Sequence, residues 1–190
     1  MKSKIYGLIA LAVVLIVMSA IPAFAQTKPE EKKTASTESS RVVKEMEVFW
    51  QRAKKHSLHY VDAMPEDAYS FKPTPEIRSF AEQMLHLAYW NCGVVEAAIS
   101  KANPFGKDEI EKKAEFKTKA AVRKAIEQSY DYIIAGLAEL DEKKLFEEVN
   151  FFGQKMTKAT IMTVAADHQS HHRGQTTIYL RLKGITPPPE

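Results

Sequence analysis

The sequence predicts an all-α protein, a four-helix bundle. Three observations predict it: four long segments repeat their apolar residues at helical spacing, no stretch reads as a convincing strand, and glycine is scarce, at 7 of 190 residues. Apolar residues make up 45% of the chain, enough for a core, and the length suits one ordinary domain with extras.

The chain opens with the pattern of an export signal. Lys2 and Lys4 form a short positive region, Ile5 to Met18 is almost wholly apolar, and Ala23-Phe24-Ala25 is an A-x-A cleavage site. Residues 1–25 are therefore expected to be a signal peptide, with Gln26 as the mature N-terminus and the bacterial periplasm as the destination. The competing reading is an uncleaved membrane anchor, because Ile5 to Ala25 could nearly span a bilayer. After cleavage no stable membrane span is expected. Two of the positive charges behind the net +3 lie in this leader. The mature chain lacks the basic excess that a nucleic-acid partner wants, so no nucleic acid is expected. The single cysteine, Cys92, excludes an internal disulfide. It sits amid apolar helix and reads as a small buried hydrophobe, with a reactive thiol as the sharper alternative.

Residues 26–40 are rich in Lys, Glu, Ser and Thr without apolar periodicity, and read as a flexible linker ahead of a bundle domain over 41–190. The first helix is expected from about Arg41 to Met64, on the stripe Val42, Met46, Phe49, Trp50, Ala53, Leu58 and Val61. His56 and His59 lie on it, beside Lys54 and Lys55, and read as solvated or packing residues rather than ligands. Pro65-Glu66-Asp67 and Phe71-Lys72-Pro73-Thr74-Pro75 make the next connection. A second helix is expected from Ser79 to about Lys101, opened by a capping box of Ser79 with Glu82 and ended by Asn103-Pro104-Phe105-Gly106. A third, from about Lys117 to Leu140, carries an apolar stripe and no ionisable cluster, and reads as scaffold. Asp141 to Lys155 reads as a loop containing the turn Asn150-Phe151-Phe152-Gly153. The fourth helix starts near Thr157 and stops before Gly184, a natural C-terminal cap trailed by Pro187-Pro188-Pro189.

The chemistry-bearing stretch lies in that last helix. His168 and His172 are four residues apart, a spacing of about 6 Å rise and about 40° of rotation, so both imidazoles project from one face. Two neutral nitrogens so placed can grip one divalent cation. His171 points to a different face. A catalytic ion usually takes at least three protein ligands, and His86, inside an apolar helical run, is the candidate for the third. Its alternative is a core histidine satisfied by a backbone carbonyl. Gln83, three residues before His86, and Gln175, three beyond His172, are placed to orient the rings, or else are surface residues. Glu82 serves as a general base if it reaches the pocket and as a helix cap if it does not. Trp90 and Tyr89 wall a pocket or belong to the core. Arg173 is read as an interhelical ion pair, and Gly174 as a point of close helix approach. Imidazole donors suit Zn, Cu, Fe and Ni alike. No Ser/His/Asp spacing, phosphate-cradling glycine loop or cysteine pair offers another chemistry.

His86 in Phe80-Ala-Glu-Gln-Met-Leu-His86-Leu-Ala, then His168-Gln-Ser-His-His172-Arg173-Gly174-Gln175 and the closing Leu182-Lys183-Gly184-Ile185, resemble the DinB-like family of metal-binding four-helix bundles. The likeness runs from about Arg41 to Pro188. It implies a three-histidine site carried by His86, His168 and His172, holding a divalent metal, Zn or Ni first, with Fe or Mn as the other candidates. It also implies that some members act on thiol cofactors; the export signal departs from those cytosolic enzymes. The expected function is a metal-dependent transferase or hydrolase with an unidentified small-molecule ligand. The alternatives are a non-catalytic module that binds metal or a small ligand, and a metal that only ties two helices together. A homodimer stays open.

Overall fold

The structure, a computed structural model, describes residues 34–189. The expected signal peptide and residues 26–33 of the expected linker lie outside the described residues. Four helices succeed one another in chain order: α1 (Thr34–Ala63), α2 (Phe80–Ile99), α3 (Lys119–Ala138) and α4 (Lys158–Leu182). α1 starts at Thr34, so residues 34–40 are helix where a linker was expected. No apolar repeat marks those residues, and lengthening a helix that already exists needs no new nucleus. The other helix ends fall within two residues of expectation. The capping box is present: Ser79 Oγ accepts from Glu82 N at 3.2 Å, and Glu82 Oε2 accepts from Ser79 N at 2.8 Å. Gly184 ends α4 with φ of +75°, and Ile185 N donates back to Leu180 O at 2.9 Å.

α1 packs mainly on α3, and α2 packs on both α3 and α4, so α1 and α2 occupy opposite corners although consecutive in the chain. Trp50, Tyr60 and Val61 of α1 meet Ile126, Tyr130 and Ile133 of α3 in one core, which α4 closes with Ile161, Met162 and Leu180. α2 is buried on most of its circumference, from Phe80 to Ala98. The reason is the α2–α3 connection, which doubles back along α2 and buries Ile110 and Glu111 in a 3-10 turn. Tyr89 pins it by donating to Lys107 O at 2.8 Å.

Between α3 and α4 the structure corrects the expected loop. Residues Glu148–Phe151 (β1) and Gln154–Thr157 (β2) form an antiparallel hairpin with Phe151 opposite Gln154. Its two turn residues, Phe152 and Gly153, both have positive φ, +49° and +81°, as a type I′ turn requires. Asn150 Oδ1 accepts from Gly153 N at 2.9 Å. Four-residue strands of mixed charged and apolar residues carry no readable period of two. The turn lies where the sequence places it, within Asn150 to Gly153; the pairing of its flanks is what the sequence does not show. Among the described residues no helix is long and apolar enough to cross a membrane.

Candidate metal centre

α2 and α4 lie side by side and bring His86, His168 and His172 together, each offering one nitrogen, all within 4.8 Å of one another. The helical spacing of His168 and His172 brings their rings to a centroid distance of 4.4 Å, tilted by 59°, and His86 approaches His172 at 4.6 Å. His86 is a single residue on a mostly buried helix, so its ring has only the α4 side and the returning connection to meet.

That connection supplies a residue that no sequence pattern singles out. Glu111 Oε2 accepts from His86 Nδ1 at 2.7 Å. Glu111 is 7% exposed, and Arg78 holds its other side through Nε and Nη2 at 3.1–3.2 Å. Burial works against the carboxylate, but hydrogen bonds from His86 and Arg78 keep its pKa below the ordinary range. With Nδ1 committed to a carboxylate, His86 presents Nε2 to the cluster. Glu111 sits in a charged run without periodicity; the only hint is Ile110, an isolated apolar residue there that anchors the turn.

His172 is held by Gln83, whose carboxamide lies 3.0 Å from Nδ1. For His172 to offer Nε2 to a cation, Nδ1 carries the proton and the Gln83 carboxamide oxygen accepts it, a choice of amide orientation. His168 Nδ1 is buried without a hydrogen-bond partner. Burial lowers the His168 pKa to about 4 and the His172 pKa to about 3, with the neighbouring imidazoles adding to both shifts. All of this suits a cation: neutral imidazoles are the ligating form, and a buried unpartnered nitrogen is costly unless something takes its lone pair. The donors present fit a divalent metal.

The other expected site residues divide. Trp90 does face the cluster, 6.0 Å from the His86 ring and 6.2 Å from the His168 ring. Gln175 does not reach a ligand ring; its carboxamide lies 2.8 Å from Nε2 of the exposed His171. Glu82 serves its cap and an ion pair with Lys117 at 2.8 Å. Although burial opposes it, these contacts pull its carboxyl to about 2, too acidic for a general base. Arg173 is buried and donates to Gln169 Oε1 at 2.6 Å, in a network that continues through Tyr130 to Ser57. A Cβ at Gly174 would meet nothing within 4 Å, so no helix approaches closely there. His59 is exposed, and His56 is half-buried and accepts from Arg52 at 3.3 Å, so this pair is set apart from the three-histidine cluster. Cys92 is fully buried, and burial pushes its thiol far above the usual range, as for an inert core residue.

Two cavities flank the cluster. A cleft of about 750 Å³ lies on the Gln83 and Glu111 side, with Lys72, Arg78, Lys112 and Gln175 among its walls. A smaller one, about 320 Å³, lies on the His86 and His168 side, against Trp90 and the hairpin. The rings thus stand between a polar space and an apolar one.

Known proteins share this architecture. A DinB-like protein from Bacillus cereus superposes with a TM-score of 0.66 at 18% identity, covering 74% of this chain and 92% of that one. A DinB-like protein from Bacillus subtilis, YjoA, superposes with a TM-score of 0.63 at 21% identity, covering 77% and 96%. At these identities the likeness is one of fold. In sequence the chain is 26% identical to Bacillus subtilis YjoA over 132 residues, 66% of this chain and 80% of that protein. It is 43% identical to Bacillus subtilis YrdA over 44 residues, which span 23% of this chain and only 26% of YrdA. The DinB family profile matches residues 34–190, from the start of α1 through the whole bundle, and the chain belongs to the DinB family.

Proposed function

We propose that the protein is an exported, divalent-metal-dependent transferase or hydrolase, with Zn or Ni as the ion held by His86, His168 and His172. The observation that carries this reading is a cluster of three imidazoles with no fourth His, Cys, Asp or Glu among the described residues. A tetrahedral structural ion recruits four protein ligands, whereas a catalytic one leaves a position for water or substrate. Glu111, the buried carboxylate beside the cluster, is engaged by His86 and Arg78. An ion in this place supplies Lewis acidity. The protein's own groups prepare for it. Glu111 fixes the proton at His86 Nδ1, Gln83 orients His172, and burial keeps His168 and His172 neutral at every physiological pH. The cleft beside Gln83 and Glu111 has room for a substrate's hydrophilic part, and Trp90 gives the opposite side an apolar wall. The positive, apolar and A-x-A pattern of residues 2–25 supports export.

Elemental analysis of the chain from Gln26, purified without chelators, tests the reading. The expected result is one equivalent of divalent metal. The loaded and metal-stripped forms are then compared on a panel of esters, amides and thiol-transfer substrates. No bound metal after loading sinks the proposal; metal without turnover on any substrate leaves a binding module. Fractionation of the producing cell tests export, and cytoplasmic recovery of the uncleaved chain refutes it.

A further inference from the structure

The cavity of about 320 Å³ beside the cluster has a wall with no part in holding a metal. His86 and His168 form one side, and Trp90, Val164, Phe151 and Phe152 form most of the rest. Trp90 is the hinge of this arrangement. Its ring stands about as far from the His86 and His168 rings, 6.0 and 6.2 Å, as from Phe152 of the hairpin turn, 5.4 Å. Phe151 and Phe152 touch each other at a centroid distance of 4.6 Å.

Phe152 is unusual in two ways. It is 72% exposed, so it contributes little to the core. It also has φ of +49°, a conformation that strains a bulky residue and that Asn or Gly would adopt freely. An exposed aromatic ring in a costly backbone position, held over a cavity walled by candidate ligands, points to a role in binding. A cavity of about 150 Å³ lined by aliphatic and aromatic groups accepts benzene; this one has roughly twice the room.

We infer that the hairpin and Trp90 form an apolar subsite, which takes an aromatic ring or short hydrocarbon arm of a small-molecule ligand while that ligand's polar end reaches the three imidazoles. The inference rests on the metal reading for the polar end alone. The apolar end is a property of the hairpin and α2. It assigns the substrate class as amphiphilic molecules with a metal-seeking group directly attached to a compact apolar group. The larger cleft, walled by both cations (Lys72, Arg78, Lys112) and carboxylates (Glu76, Glu82, Glu111), suits a hydrophilic remainder.

Titration of the metal-loaded protein with acetohydroxamate and benzohydroxamate, monitored by tryptophan fluorescence, tests this. Trp90 lines this cavity, whereas Trp50 lines a separate groove between α1 and α4, so the loss of signal in Phe152→Ser assigns a response to Trp90. Benzohydroxamate is expected to bind at least about tenfold more tightly, from burial of its ring. Phe152→Ser should bring the ratio close to one without changing metal content. Equal affinities in the unchanged protein, or a ratio untouched by Phe152→Ser, overturn the subsite. The metal-free protein is titrated in parallel with benzyl alcohol, which needs no ion. A saturable Trp90 response that Phe152→Ser removes supports the subsite even if the metal reading fails. No response from benzyl alcohol, with normal metal content, sinks the subsite and leaves the metal reading standing.

Discussion

Glu111 decides which nitrogen His86 offers, so it governs affinity without being a ligand. Changing it to glutamine keeps the shape but removes the negative charge that holds the proton on Nδ1. Glu111→Gln is expected to weaken metal binding by about 10- to 100-fold, with helix content unchanged; a competition titration against a coloured chelator reads this directly. An affinity within twofold of the parent would mean that the Glu111–His86 contact of 2.7 Å does not tune the site. The ligands themselves separate by face. His172→Ala should abolish stoichiometric metal, whereas His171→Ala, which loses an exposed contact with Gln175 and an edge contact with the His172 ring but no cluster nitrogen, should leave it intact by elemental analysis. Equal losses would mean the wrong face has been assigned. At this scale the sequence is informative where geometry is local. The four-residue spacing of His168 and His172 sets a shared face on any helix, and a histidine inside the apolar run of α2 stands out. Glu111 and the Gln83–His172 pairing depend on how separate segments meet, which no local pattern encodes.

The start of α2 shows how one element is fixed, and what pH does to it. Ser79 and Glu82 satisfy each other's backbone N–H groups, and Glu82 also binds Lys117 just ahead of α3. Ser79→Ala should cost about 1 kcal/mol in a denaturant titration. The Glu82 carboxyl has a pKa of about 2 in the fold against an ordinary 4.5, so the fold favours its ionised form. Its contribution is therefore full above about pH 4.5 and is lost as pH falls toward 2. Glu82→Gln should flatten that acid limb of the stability profile while remaining near-parallel to the parent above it; an unchanged limb would assign the acid sensitivity elsewhere. The four helices are readable because each carries an apolar repeat over five or more turns, with Pro and Gly at their ends. The hairpin is readable only at its turn, because its eight strand residues are too few and too mixed for a repeat. The first turns of α1 escape for a related reason: residues 34–40 have no apolar face to betray a helix.

For the whole molecule, the cluster joins two helices that neighbour in space but are far apart in the chain, so an ion held there is linked to folding. The apolar core runs through all four helices, and the Ser57–Tyr130–Gln169–Arg173 network ties α1, α3 and α4 without it. The metal-free protein should therefore stay folded, unlike small domains whose only core is a metal site. The ion adds stability by mass action on the native state alone: at 100 times its Kd it contributes about 2.7 kcal/mol. For a domain of this size that raises the Tm by roughly 5–10 °C. Calorimetry of the chain from Gln26, with and without loading, should show this shift, and a chelator should reverse it. His168→Ala should lose the metal-induced shift while its metal-free form unfolds close to the metal-free parent, since that side chain lies at the cavity wall rather than in the main core. A parent whose Tm ignores metal, or a His168→Ala variant that still responds in full, would show that the ion binds elsewhere than between α2 and α4.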